Sequence, residues 1–170
     1  LEPEWSGDPR KEQHTNIILY TSGTTGSPKG TMLTRQSLTS NADGIIRWLD
    51  FDQNEHLNLL LPFHHINSTV FSLTMLMTGG TVILNSRYSA SNFWPIITKE
   101  RATAVSIVPT IMQDLLSNAK NFQQDINDIT SLKRILIGSA PVPASVACTF
   151  YNTFGIRLVQ GYGTTEVSLR

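Results

Sequence analysis

RILIGSAPVPASVACTFYNTFGIRLVQGYGTTE, Arg134 to Glu166, says most about how this chain folds. Arg134–Gly138 is a short apolar run closed by glycine, the length and composition of a buried strand. Pro143 opens a helix, because its missing N–H is one that a first helical turn leaves unbonded anyway. Val146, Ala147, Phe150 and Phe154 then form one inward face, and Gly155 ends the helix. Arg157–Gln160 is the next and last strand, and the polar turn Gly161–Glu166 follows it. Strand, helix, strand in that order implies a right-handed crossover between parallel strands. Ligands in such sheets bind beyond the carboxyl ends of the strands. Both Ser139–Pro141 and Gly161–Glu166 fall at such ends.

Upstream the same alternation continues. Ala104–Val108 is strand-like, and Pro109 starts a helix with Ile111, Met112, Leu115, Leu116 and Ala119 on one face. Asn121–Thr130 is a polar surface connection. His56–Pro62 contains a strand that ends at proline, and Thr81–Leu84 is a short one. Ser68–Thr78, apolar on every side, reads as a fully buried helix ended by Gly79-Gly80, and a further helix covers about Asn92 to Glu100. Thr15–Tyr20 reads as a buried strand entering a glycine-rich loop. Leu38, Ala42, Ile45, Ile46 and Leu49 then mark a helix with Thr34 as its N-cap, with no strand assigned between loop and helix. Residues 1–14, with Pro3, Gly7 and Pro9, read as a linker or irregular entry segment, and 15–170 as one unit. The expected fold class is α/β, a mostly parallel sheet with flanking helices. Trp48, Trp94, Met75 and Met77 read as core, Cys148 as a small buried hydrophobe, and Lys99–Arg101 as a solvated helix end.

Bulk composition narrows the function classes. The chain has 170 residues, 40% apolar and 15% charged, as in a folded globular domain. Thirteen basic side chains balance thirteen acidic ones, so no global field favours nucleic acid or an anionic membrane. Cys148 is the only cysteine, which excludes an internal disulfide and a thiolate zinc cluster and fits the reducing cytoplasm. No signal-peptide pattern opens the chain, and Val70–Met77 is too short to span a bilayer. The first residue is not Met and the last follows closely on GTTE, which suggests an excised fragment.

YTSGTTGSPKG, Tyr20–Gly30, concentrates hydroxyls, glycines and one lysine. Gly23, Gly26 and Gly30 permit turns that expose main-chain N–H groups, and successive N–H groups form anion-binding nests. Ser22, Thr24, Thr25 and Ser27 add hydroxyl donors, and Lys29 adds a mobile charge suited to phosphate oxygens. A Walker A loop needs Gly before Lys and Ser or Thr after it; Pro28 and Gly30 break that pattern. The chemistry is that of a polyphosphate site all the same.

At these residues the chain resembles the adenylate-forming superfamily, which contains acyl-coenzyme A synthetases, peptide-synthetase adenylation domains and luciferases. YTSGTTGSPKG matches its phosphate loop, GYGTTE a second signature, and LPFHHINS and LIGSAPV two landmarks between them. The resemblance runs from Thr15 to Glu166 and implies the central part of the large N-terminal domain of an acyl-coenzyme A synthetase. It implies that ATP binds at Thr21, Ser22, Gly23, Thr24, Thr25, Gly26 and Lys29. It implies an adenine pocket at Ser139, Ala140 and Pro141 and along Gly161, Tyr162, Gly163 and Thr164, with Tyr162 stacked on the base. Thr165 is expected at the α-phosphate and Glu166 at Mg²⁺. His65, with His64 as the weaker candidate, is expected where the acyl and nucleotide sites meet.

Relatives that take α-amino acids carry an Asp here for the substrate amine, and LPFHHINST has no acidic residue. A buried amine without a partner would cost a few kcal/mol, roughly, so a plain carboxylic acid is expected, a fatty acid first. The implied reaction joins acid and ATP into an acyl-adenylate, then transfers the acyl group to coenzyme A. The rivals are transfer to a carrier protein and a non-catalytic nucleotide-binding scaffold. The family's ribose-binding Asp and mobile C-terminal domain lie downstream of the TTE motif, so this chain by itself is not expected to turn over.

Overall fold

A computed structural model describes residues 14–21, 27–123 and 125–166, and the backbone of 168–169. Residues 1–13 of the entry segment 1–14 and the loop residues Ser22–Gly26 lie outside the described residues.

β1 (Thr15–Thr21) and β2 (Lys29–Thr34) pair antiparallel as a hairpin, with Tyr20 opposite Gly30 and Thr21 opposite Lys29. Two expectations change here. The return strand β2 was not assigned from sequence, and β1 is not a buried strand: Leu19 is buried, whereas Ile18 and Tyr20 are 51% and 73% exposed. Alternation with a period of two puts Ile17 and Leu19 inward, and apolar residues on both faces hid that period. α1 (Arg35–Leu49) follows with Thr34 as its N-cap, whose Oγ1 accepts from the Ser37 N–H at 3.1 Å. Its inward face is Leu38, Ala42, Ile45 and Leu49, as the spacing requires.

Beyond the hairpin come β3 (His56–Leu59), α2 (Ile66–Thr78), β4 (Thr81–Leu84), α3 (Ala90–Glu100), β5 (Ala104–Ile107), α4 (Pro109–Ser117), β6 (Arg134–Ile137), α5 (Ala144–Phe154) and β7 (Leu158–Gln160). The five strands form one parallel sheet in the order β4-β3-β5-β6-β7. The expectation that β7 is the last strand fails: β8 (Gly163–Thr164) and β9 (Ser168–Leu169) make a small antiparallel ribbon after it. Two-residue strands leave no periodic signature to read.

Alternate residues of each strand feed two cores. Leu57, Leu59, Ala104 and Leu136 pack with α1, α2 and the hairpin on one face. Val105, Ile107, Ile135 and Ile137 pack on the other against Trp94 and Ile97 of α3, Met112 and Leu115 of α4, and Phe150 and Phe154 of α5. Fully buried Trp94 touches Phe93, Phe122 and Phe154 with ring centroids 4.7–4.8 Å apart, the offset and edge contacts that aromatic rings favour.

Three burial expectations fail. α2 buries only one face, leaving Leu76 at 77% and Met77 at 44% exposure. Trp48 is 55% exposed, because α1 turns its 38/42/45/49 stripe inward and leaves position 48 beside it. Cys148 is exposed, on the side of α5 away from Phe150 and Phe154.

The amino ends of β3, β5 and β6 are tied by a polar cluster. Glu55, 1% exposed, accepts from Lys133 Nζ at 2.8 Å and from the Thr103 hydroxyl, with Arg134 3.8 Å away. The Thr103 Oγ1 also accepts from the His56 N–H at 2.9 Å. Arg134 donates to the Leu49 carbonyl and lies over the Phe51 ring.

Candidate active site

A cavity of about 740 Å³ opens at the other end of the sheet, beyond the carboxyl ends of β5, β6 and β7, on the side covered by α1 and α2. Parallel sheets place their ligand crevices there because the loops that leave the strands diverge. Ser139 from the loop after β6, Gly161 after β7, and Gly163, Thr164 and Thr165 of the following turn line one wall. His64, His65, Ile66 and Asn67 at the start of α2 line a second. Ser40, Asn41, Gly44, Ile45 and Trp48 of α1 form a third, and Tyr20 reaches in from the end of β1.

Local bonds hold these segments in place. The Gly161 N–H donates to the Ile137 carbonyl at 2.9 Å, tying the loop after β7 to the end of β6. A side chain at Gly138 would meet the Gly161 carbonyl at 3.4 Å, so the backbones approach closely there. Ser139 adopts a left-handed conformation, φ 71°, which strains a residue with a Cβ. On the opposite wall, the His65 N–H donates to the Pro62 carbonyl at 3.1 Å and Thr69 Oγ1 donates to the Phe63 carbonyl at 2.9 Å. Ser68 Oγ donates to the Leu61 carbonyl at 2.7 Å. These bonds wind the chain from β3 into α2 and present His64 and His65, exposed, with ring centroids 4.4 Å apart.

Of the residues expected from sequence, His65, Ser139, Gly161, Gly163, Thr164 and Thr165 share this one cavity. Ala140, Pro141 and Tyr162 are exposed beside it and are not among its lining residues; Tyr162 is 77% exposed. Thr21, Lys29 and Glu166 also lie outside the lining. Lys29 is exposed at the start of β2, where its carbonyl accepts from Thr21 Oγ1 at 3.4 Å, one residue from cavity-lining Tyr20. Glu166 is exposed and follows Thr165 directly. Ser22, Gly23, Thr24, Thr25 and Gly26 fall outside the described residues. Among the described residues no group of three or more His, Cys, Asp or Glu could hold a metal alone.

The sequence reading missed the α1 wall, Tyr20, Asn67 and Ser106. One signal was available: Gly44 interrupts a helix, and a Cβ built there meets nothing within 4 Å, so packing does not require it.

Comparison with known proteins fits this geometry. The family profile described as AMP-binding enzyme matches residues 2–169. A feruloyl-CoA synthase from an Amycolatopsis species is 37% identical over 153 residues, covering 89% of this chain and 30% of that protein. A long-chain-fatty-acid–CoA ligase from Bacillus subtilis is 34% identical over 165 residues, covering 92% of this chain and 28% of that protein. Among solved structures, ATP-bound MatB from Rhodopseudomonas palustris superposes with a TM-score of 0.80 at 29% identity, over 89% of this chain and 29% of that one. The inhibitor-bound N-terminal domain of FACL13 from Mycobacterium tuberculosis gives 0.78 at 31% identity, over 88% of this chain and 36% of that one. The chain spans less than a third of the length of these curated relatives.

Proposed function

The chain belongs to the AMP-binding enzyme family, and from that premise we propose that it is the nucleotide-binding core of an ATP-dependent acid–thiol ligase that makes acyl-coenzyme A. The observation that carries this reading is one cavity joining Ser139, Gly161, Gly163, Thr164, Thr165, His65 and, through Tyr20, the strand that enters the glycine loop. In the proposed reaction, a carboxylate oxygen attacks the α-phosphorus of ATP while the bond to pyrophosphate breaks. The coenzyme A sulfur then attacks the acyl carbon and AMP leaves.

The first step brings an anion against a polyanion, so the protein must neutralise charge and align attack with departure. Lys29, Thr21 and the loop Ser22–Gly26 are proposed to hold the β- and γ-phosphates. Thr165 is proposed to bond the α-phosphate, and Ser139, Ala140, Pro141, Gly161, Gly163 and Thr164 to border adenine, with Tyr162 stacked on it. His65 orients the acid's carboxylate at the boundary of the two sites. The fit for Mg²⁺ is one exposed carboxylate, Glu166, next to a cavity-lining threonine. Glu166 would hold the ion, which would supply positive charge that offsets the phosphates' charge toward the incoming acid.

A fatty acid is the proposed substrate, supported by Ile45, Trp48, Leu61, Ile66 and Phe71 along the cavity and by the name of the Bacillus subtilis relative. The same proposal has this chain acting in the cytoplasm and, covering under a third of such ligases, inactive without the rest of the protein. The test is acid-dependent ATP–pyrophosphate exchange by the full-length protein across a panel of acids. Exchange that appears only with a suitable acid supports the reading; exchange with none of them overturns it.

A further inference from the structure

Resting on the proposed acid activation, we infer that Asn67, held by Ser106, selects an uncharged acyl chain bearing a hydrogen-bond acceptor oxygen over its plain hydrocarbon counterpart. Ser106 is fully buried in β5, and its Oγ donates to Asn67 Oδ1 at 2.8 Å. Both residues line the cavity: Asn67 follows Ile66 at the start of α2, and Ser106 reaches it from β5. A buried hydroxyl spent on one side-chain oxygen fixes the amide's orientation. Among the described residues, the Asn67 Nδ2 group then has no hydrogen-bond partner. Two oriented N–H donors on a cavity wall serve an acceptor on the ligand; a purely aliphatic chain would strip them of water without replacement.

The charge of the lining sets the rest of the preference. Among the described residues, the cavity is lined by no Asp, Glu, Lys or Arg. An ammonium group on the substrate would be desolvated there without an opposite charge, and a second carboxylate would meet only His64 and His65. A neutral oxygen, as hydroxyl, ether or carbonyl, is what an amide donor can satisfy.

The test uses the full-length protein and pairs of straight-chain acids, each hydroxylated at one carbon from 3 to 6 or carrying a methyl group there instead. Acid-dependent pyrophosphate release gives kcat/KM for each member. At one hydroxyl position the wild type should favour the hydroxy acid by about tenfold. Asn67→Leu should bring that ratio to about one while retaining release with the methyl acid, which also shows that the variant folds. Ser106→Ala should lower the same ratio mainly through KM. A wild-type ratio near one at every position, or a ratio that survives Asn67→Leu, overturns the inference alone. Wild-type protein that releases no pyrophosphate with any acid overturns the acid-activation reading, and this inference with it.

Discussion

Removing the Glu55 carboxylate should loosen the sheet without touching the chemistry. Glu55 precedes β3, Thr103 precedes β5 and Lys133 precedes β6, so one buried carboxylate ties three strands at the end remote from the cavity. In Glu55→Ala, the Thr103 hydroxyl loses its closer acceptor and keeps only the His56 carbonyl at 3.4 Å, a loss of about 1 kcal/mol. The Lys133 ammonium, with half its side chain exposed, turns to water and contributes less than about 1 kcal/mol. The void left by the side chain adds about 1 kcal/mol. Arg134 keeps the Leu49 carbonyl and the Phe51 ring, so it adds little. The total is a loss of about 2–3 kcal/mol.

Lys133→Ala leaves the carboxylate buried with Thr103 and a more distant Arg134, and costs about the same. The double variant should therefore fall well short of the sum, with a coupling of about 2 kcal/mol. The assay is urea unfolding of the full-length protein, paired with kcat/KM at a temperature where each variant is folded. Single-variant losses below about 0.5 kcal/mol, strict additivity, or a fall in kcat/KM at unchanged fold would refute the reasoning.

Tyr88 donates to Asp114 Oδ2 at 2.7 Å, and burial, then that bond and the carboxylate's charge, push its phenol well above the usual range. Its contribution is fully present below about pH 10 and is lost as pH rises toward the raised folded value. Tyr88→Phe should thus cost about 1 kcal/mol at pH 7, and a pH series of melting temperatures should show wild type and variant converging in alkali. Gly80→Ala should destabilise by about 2 kcal/mol by urea titration, since its Cβ would come within 2.9 Å of the Glu55 carbonyl and 3.1 Å of Met75 Sδ. Ser139→Gly should match or exceed wild-type stability, whereas Ser139→Val should lose about 2 kcal/mol, because φ is 71° at that position; equal unfolding midpoints for the two variants would remove the strain argument.

Where the chain alternates strand and helix, sequence alone gives the architecture. Pro109 and Pro143 mark helix starts, Gly79 and Gly155 with positive φ mark helix ends, and the strands between them pair in parallel as expected. The failures at β1 and α2 share a cause: apolarity without periodicity does not say which face is covered. Ile17–Tyr20 is apolar throughout and Ser68–Thr78 carries no charge to mark a solvent side, so the hairpin's outward face and the exposed Leu76 could not be read from them. At the site, glycine-rich turns after strands were legible because backbone freedom and small side chains leave a compositional mark. Asn67 and Ser106 were not, because their meaning arises only when β5 and α2 bring positions 39 residues apart within 2.8 Å.

We propose that one nucleotide is gripped jointly by the glycine-rich loop and the Gly161–Glu166 turn. A crystal structure of the full-length protein with a non-hydrolysable ATP analogue and Mg²⁺ should place Lys29 on the terminal phosphates and Glu166 on the ion, with the adenine against Tyr162. A nucleotide bound with neither residue in contact, or with Lys29 and Glu166 facing separate clefts, would contradict it.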